Sequence, residues 1–190
     1  MSLYKLNKFH WHLTDDQGWR IEISAFPKLT ELASMRPFSN FGRSMEYGPH
    51  GGYYTKSDIR EIVAFCAERH ITVIPEIEMP GHASALLSAY PEYSCDGKPV
   101  AVKTRGGVYA DTLCAGKEET YAALEAILME VMELFPGKQI HLGGDEAPKD
   151  HWKACPLCQR KMRQEGLKSE VELQCWFTDR MAAFLKSHGR

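Results

Sequence analysis

The feature that most constrains the fold of this chain is an alternation of apolar, strand-like segments with amphipathic helices. Apolar, aromatic and β-branched residues form three runs, at residues 8–14, 71–77 and within 138–146. Apolar residues at helical spacing predict helices over 57–70, 118–135 and 169–187, with a partly helical stretch at 27–35 and a glycine-rich loop around GPHGGYYT. Ser57 and Asp58 are the candidates for the N-cap of the first of these helices. Strands that alternate with helices pair in parallel, so the sequence predicts an α/β fold with a parallel sheet.

Two parallel architectures fit this alternation, an open doubly wound sheet and a (β/α) barrel. Both place functional residues at the carboxyl ends of their strands. A nucleotide-binding open sheet needs a glycine-rich turn that accepts phosphate, but the GGDE sequence at 143–146 carries an acidic pair that would repel a pyrophosphate. The sequence therefore favours part of a barrel, with about three to four βα units visible.

Composition and charge exclude several classes of protein. The 190 residues suffice for one domain, and 44% hydrophobic with 25% charged residues exclude a disordered chain. A formal net charge of -2 does not create the positive electrostatic potential that attracts a polyanion, so we expect no nucleic-acid partner. No apolar stretch is long enough to span a membrane, and the opening residues lack the apolar core of a secretory signal, so any export signal would lie outside this sequence.

Groups capable of acid–base chemistry follow each of the three predicted strands: Asp15 and Asp16, then Glu78 and His82, then Asp145 and Glu146. Adjacent side chains of a regular strand point to opposite faces, but Gly143 and Gly144 allow the backbone to bend so that both acids of the third group face one cleft. Mutual repulsion and partial burial then raise the pKa of at least one acid. This arrangement predicts general acid catalysis.

Three segments carry a resemblance to a known family: FHWHLTDDQGWRIEI at 9–23, PEIEMPGH at 75–82 and HLGGDE at 141–146. In this order they resemble family 20 glycoside hydrolases, the β-N-acetylhexosaminidases. The resemblance implies a (β/α)8 barrel that removes terminal N-acetylglucosamine or N-acetylgalactosamine from glycans, without a cofactor, a metal or an enzyme nucleophile. The 2-acetamido group of the substrate attacks in place of an enzyme carboxylate.

The resemblance also implies a role for four residues. Glu146 matches the acid that protonates the leaving oxygen and then activates water, and Asp145 matches the group that orients the acetamido group. His82 and Asp15 match a supporting pair in which the carboxylate orients the imidazole and the imidazole contacts the acid. Asp16 is expected to cap loop backbone, and Glu78 to lie behind the site, so neither is among the predicted catalytic residues.

The resemblance covers only part of the family's barrel. Residues 1–190 are expected to form a partial catalytic domain without the first strand and the later strands. Three parallel strands would leave open edges and uncovered apolar faces, which predicts self-association. A truncated chain that binds sugar or assembles without turnover therefore stays open as an alternative. The compartment cannot be predicted from the chain, although the family suggests a periplasmic, secreted or lysosomal protein.

Two further patterns leave alternatives open. His10 and His12 lie on one face of the first strand, and such a pair binds metal in barrel hydrolases of another class, although packing is favoured here. Cys95 and Cys114 flank a loop that a disulfide could close. Cys155 and Cys158 form a CPLC turn for which zinc is conceivable, with His151 and Cys175 nearby, but the sequence shows no second pair at metal-binding spacing, so reduced or paired thiols are favoured.

Overall fold

A computed structural model describes residues 1–190. The strands are β1 (Lys8–His12), β2 (Thr14–Asp15), β3 (Gly18–Trp19), β4 (Met35–Asn40), β5 (Met45–Gly51) and β6 (Thr72–Glu76). The helices are α1 (Lys28–Glu31), α2 (Lys56–Ala67), α3 (Ser84–Ala89), α4 (Glu118–Leu134), α5 (Asp150–Ala154), α6 (Pro156–Glu165) and α7 (Glu170–Ser187). Short 3-10 turns lie at Ser2–Tyr4 and Pro91–Tyr93. No helix combines the length and the apolar character that crossing a bilayer requires.

The central sheet is parallel, as the sequence predicts. β1 and β6 pair over their whole length. On the other side of β6, the His141 N–H donates to the Pro75 carbonyl at 2.9 Å, and the Ile77 N–H donates to the His141 carbonyl at 3.0 Å. The third predicted strand is thus reduced to a single parallel bridge between Glu76 and His141, because the glycines that follow turn the chain away.

The spatial order of these three segments follows their order in the chain, with α2 and α4 in the connections. Consecutive parallel strands joined through helices are the repeating unit of a (β/α) barrel. The predicted fold class, an α/β fold that forms part of a barrel, is confirmed.

The helix α2 begins slightly earlier than the sequence predicts. Its N-cap is Thr55, not Ser57 or Asp58. The Thr55 hydroxyl accepts the Asp58 N–H at 3.2 Å, and the Asp58 carboxylate accepts the Thr55 N–H at 2.8 Å. This reciprocal pair is a capping box, which satisfies two backbone donors that the first helical turn leaves free.

One face of the parallel sheet is covered and the other is not. Trp11 and Val73 are buried in a core that the inner side of α4 completes with Leu124, Ile127 and Leu128. The opposite face carries His10, His12, Glu76, Glu78 and His141, whose carboxylates and imidazoles contact one another. The prediction of uncovered apolar faces is therefore wrong for this face, which is polar.

An antiparallel hairpin replaces part of the predicted glycine-rich loop. β4 and β5 pair antiparallel, with an irregularity in register between Arg36 and Phe38. Every residue of β5 is exposed, so backbone pairing rather than burial defines this strand. Gly48 and Pro49 within it are unfavourable to strands, which is why the sequence pattern indicates a loop.

The possible disulfide between Cys95 and Cys114 is not formed, since all six cysteines are free. The Cys114 sulfur instead lies 3.8 Å from that of Cys155 and 3.7 Å from that of Cys158. These separations are far longer than the roughly 2.05 Å of a disulfide bond.

Candidate active site

The predicted catalytic residues lie in three loops at the carboxyl ends of the parallel segments. The first loop is a tight hairpin between β2 and β3, in which Asp15 pairs with Gly18. The second loop follows β6 and carries His82. The third follows residue 142 and carries Asp145 and Glu146. Because parallel strands end at one rim, three loops that are distant in sequence meet there.

The imidazole of His82 connects the side chains of the three loops. Its Nδ1 lies 3.2 Å from an Asp15 oxygen and 3.1 Å from an Asp16 oxygen. Its Nε2 lies 3.5 Å from a Glu146 oxygen and 3.7 Å from an Asp145 oxygen. Burial lowers the pKa of this imidazole, but the negative charges of Asp15 and Asp16 outweigh burial and leave the pKa raised. The ring is therefore placed to carry a proton between two pairs of carboxylates.

Asp16 has more contacts with this site than the sequence predicts. Its side chain is buried and accepts the backbone N–H of Ser84 at 2.9 Å, which agrees with the predicted role of capping backbone. The Ser84 hydroxyl lies 2.5 Å from the same carboxylate. Burial raises the pKa of Asp16, and these hydrogen bonds oppose that effect. Asp16 also contacts His82 and thereby fixes the imidazole relative to the start of α3.

Backbone conformation brings Asp145 and Glu146 to the same side. Gly143 and Gly144 have φ values of 66° and 102°, in the left-handed region that favours glycine, and Glu146 itself has a φ of 44°. A Cβ at Gly143 would lie 1.8 Å from a Glu78 oxygen. The predicted bend at these glycines is thus present, and both acids face His82 within 4 Å.

Burial divides the acids of the site into two groups. The side chains of Asp145 and Glu146 are 66% and 55% exposed, whereas that of Asp16 is 1% exposed. The expected partial burial of the adjacent pair is therefore not observed. Asp145 and Glu146 are therefore open to solvent, whereas Asp16 is enclosed.

Glu78 is the carboxylic acid with a strongly raised pKa. Burial, followed by hydrogen bonding to and repulsion from Glu76, raises the pKa of Glu78 to about 9. The Gly144 N–H donates to its carboxyl group at 3.4 Å, and the Thr14 hydroxyl accepts its backbone N–H at 2.8 Å. Glu78 thus lies directly behind the glycine turn that precedes Asp145.

The whole chain also matches a known family. Residues 1–190 match the model described as "Glycosyl hydrolase family 20, catalytic domain". The chain belongs to glycoside hydrolase family 20. Its fold as part of a (β/α) barrel agrees with that assignment, so the family resemblance found in the sequence is confirmed.

Individual members of family 20 align over the full chain. A "Beta-hexosaminidase" of Porphyromonas gingivalis is 48% identical over 190 residues, which are 100% of this chain and 24% of that protein. A solved beta-N-acetylhexosaminidase superposes with a TM-score of 0.93 at 43% identity, covering 100% of this chain and 40% of the other. An exo beta-N-acetylglucosaminidase of Vibrio harveyi, solved with N-acetylglucosamine, gives a TM-score of 0.84 at 33% identity, covering 100% of this chain and 30% of the other.

This family 20 chain therefore spans less than half the length of these relatives. The relatives are β-hexosaminidases, and the V. harveyi structure contains N-acetylglucosamine in a complex. The chain holds the segments that carry Asp15, His82 and Glu146 in the resemblance described above.

The His10 and His12 pair lies within β1, before the rim that carries the other site residues. His10 Nε2 lies 2.5 Å from Glu76, and His12 Nε2 lies 3.6 Å from Glu78. His141 Nδ1 lies 2.8 Å from the second oxygen of Glu76. In this family 20 chain the pair thus belongs to a polar network on the open face of the sheet, with Glu76 shared among the imidazoles.

Proposed function

We propose that this chain supplies the acid–base part of a β-N-acetylhexosaminidase active site, which hydrolyses terminal N-acetylhexosamine residues with retention of configuration. The observation that carries the proposal is the meeting of Asp145 and Glu146 at one imidazole nitrogen, while Asp15 and Asp16 hold the other nitrogen. Family membership gives this arrangement a substrate class, a glycan that ends in an N-acetylated amino sugar.

In the first step, the acetamido oxygen of the substrate attacks its own anomeric carbon while the glycosidic C–O bond breaks. Glu146 donates its proton to the departing oxygen, so the leaving group departs as an alcohol. In the second step, a water molecule attacks the same carbon and gives a proton to the Glu146 carboxylate, which reopens the ring and restores the acetamido group. Two inversions at one carbon retain the configuration.

Asp145 acts on the substrate amide. Its carboxylate accepts the acetamido N–H and thereby directs the carbonyl oxygen toward the anomeric carbon. Negative charge beside this amide also stabilises the positive charge that develops as the cyclic intermediate forms. The neighbouring glycines place Asp145 and Glu146 on one side, so orientation and proton transfer occur at the same sugar.

His82 serves as a positioning residue between the two carboxylate pairs. Its Nε2 faces the reacting acids, and a proton on this nitrogen stabilises Glu146 as a carboxylate after proton donation. Asp15 and Asp16 keep the opposite nitrogen fixed, which limits rotation of the ring.

The test is Glu146→Gln in the full-length protein that contains this chain, assayed with a chromogenic N-acetylglucosaminide and with a disaccharide substrate. Loss of a positioned acid lowers the rate by about 10² to 10⁴, and the disaccharide suffers most because its leaving group depends most on protonation. Glu133→Gln, at an exposed position of α4, is the matched control and should leave both rates unchanged.

Unchanged disaccharide hydrolysis by the Glu146→Gln protein would remove Glu146 as the proton donor. The alternative function, a truncated chain that binds sugar or assembles without turnover, predicts that the 190-residue chain releases no product from either substrate. The same assay of the unaltered 190-residue chain therefore separates the two functions before any variant is made.

A further inference from the structure

Four of the six cysteines form a cluster away from the candidate active site. Cys95, Cys114, Cys155 and Cys158 place their sulfur atoms within 4.8 Å of one another. Three of the four residues are buried, and Cys95 is partly buried. His151 and Cys175, which the sequence places nearby, are not members of this group.

The distances within the four-cysteine cluster distinguish metal binding from disulfide formation. The measured sulfur separations are 3.9 Å for Cys95 and Cys158, 3.8 Å for Cys114 and Cys155, and 3.7 Å for Cys114 and Cys158. Four sulfurs at about 2.3 Å from a tetrahedral zinc ion are separated by about 3.8 Å. Three of the six sulfur–sulfur separations thus match the edges of such a tetrahedron, and all six lie within 4.8 Å.

The loop that carries Cys114 and the CPLC turn pack closely against each other. A Cβ at Gly116 would lie 2.3 Å from the Leu157 carbonyl carbon and 2.4 Å from the Cys158 nitrogen. Only glycine allows the loop that carries Cys114 to pack this tightly against the CPLC turn. The Cys114 N–H donates to the Tyr93 carbonyl at 2.8 Å, which also joins this loop to the segment that carries Cys95.

The position of the CPLC turn favours thiolates. Cys155 is the N-cap of α6, and Cys158 lies in its first turn. Backbone N–H groups at a helix N-terminus stabilise negative charge, including that of a metal-bound thiolate. Sulfur ligands in a tetrahedral set select zinc or iron among the common biological metals.

We infer that Cys95, Cys114, Cys155 and Cys158 bind one structural Zn²⁺ ion as four thiolate ligands. Each thiol releases its proton to solvent as the zinc–sulfur bond forms, and no oxidation takes place. All four tetrahedral positions are filled by protein, so this site stabilises structure and activates no water.

The proposed zinc site would join two parts of the chain that flank the candidate active site. Leu113, next to Cys114, donates its N–H to the Pro80 carbonyl in the loop that leads to His82. The Trp152 indole of α5, the helix that follows the Glu146 loop, donates to the Leu113 carbonyl at 2.9 Å. Zinc would thus hold together the two segments that contact the His82 loop and the helix that follows the Glu146 loop.

The first experiment measures metal content and thiols in the 190-residue protein, purified without chelator. We expect about one zinc per chain. In the absence of reductant, all six cysteines of this chain should react with a thiol reagent after denaturation with chelator. Before denaturation, Cys175, which is exposed, should react, and the cluster should react only after chelation.

The second experiment uses variants. The double variant Cys155→Ser and Cys158→Ser should lose the zinc, whereas Cys175→Ser, the matched control on α7, should retain it. If the double variant does not fold, cobalt replacement of zinc in the unaltered protein provides the test, because four thiolates around tetrahedral cobalt give intense visible absorption bands.

Several outcomes would overturn the inference. Titration of fewer than six thiols would indicate disulfides in place of the metal site. Zinc retained by a folded double variant would lie elsewhere, and iron at one ion per chain would contradict the assignment to zinc. Absence of metal together with rapid reaction of the four-cysteine cluster in the native protein would show that no ion is bound.

Discussion

At the scale of single residues, the candidate site depends on how a few acids share protons. Glu76 and Glu78 lie together behind the glycine turn, and their pKa values move in opposite directions. Burial works to raise the pKa of Glu76, but hydrogen bonding from Glu78 and the nearby imidazoles leave it lowered. These opposite directions indicate that the pair shares one proton.

The shared proton predicts a pH dependence of stability. The folded-state pKa of Glu78, about 9, lies above its ordinary value of 4.5, so the folded protein keeps a proton that the unfolded chain loses. The contribution of Glu78 to the free energy of unfolding therefore falls as pH rises through this window, with a slope of at most about 1.4 kcal/mol per pH unit. Glu78→Gln keeps a donor without a titrating proton and should flatten this slope.

Urea unfolding of the Glu78→Gln protein and the unaltered protein between pH 5 and pH 9, about the window set by these pKa values, checks the prediction. Glu133→Gln, which changes an exposed glutamate, is the control and should follow the unaltered curve. Parallel curves for all three proteins would show that Glu78 carries no extra proton.

The burial of Asp16 is a feature of the site that could not be predicted from the sequence. Asp15 and Asp16 are adjacent, and the sequence does not reveal which of the two is buried. The structure buries Asp16 beside Ser84, while Asp15 stays partly exposed. Only the packing of α3 against the hairpin distinguishes them, and Ser84 directly after the histidine loop was the available signal.

At the scale of secondary-structure elements, two variants at the start of α2 compare the observed N-cap, Thr55, with the predicted one, Ser57. Thr55→Ala removes the hydroxyl that accepts the Asp58 N–H and should lower the free energy of unfolding by about 1 kcal/mol. Ser57→Ala, at the position that the sequence favours, should change it by less than about 0.5 kcal/mol. Thermal and chemical unfolding of both variants would measure the difference, and equal losses would contradict the observed capping box.

The long helices and the first two parallel strands could be predicted because burial imposes a period on their apolar residues. α4 and α7 follow that period closely. The β4 and β5 hairpin could not be predicted, since it buries little and contains residues that disfavour strands. Only part of the four-cysteine cluster could be predicted from the sequence. Cys155 and Cys158 are close in sequence, whereas Cys95 and Cys114 approach them only in the folded chain.

At the scale of the whole molecule, the parallel sheet has unpaired edges. β1 pairs only with β6, and the segment at 140–142 pairs only with the other side of β6. Unpaired backbone donors and acceptors at sheet edges favour pairing with a second chain. The open face between these edges is polar, so edge pairing rather than burial of apolar surface would drive association.

The 190-residue chain on its own should therefore self-associate. Light scattering coupled to size-exclusion chromatography should give a mass above 21.5 kDa that falls on dilution. A constant mass of one chain across the dilution series would show that the edges are protected. The four-cysteine cluster requires reducing buffer in this measurement, so that disulfide-linked oligomers do not contribute.

The left-handed turn at Gly143 and Gly144 has a consequence for finding related sites in other genomes. An Asp-Glu dipeptide is common and means little by itself, because on an ordinary extended backbone its two carboxylates diverge. The informative signature is the pair of glycines, one of which leaves room for the Glu78 carboxyl group. Searches that score these small residues as strictly as the acids should discard most accidental matches.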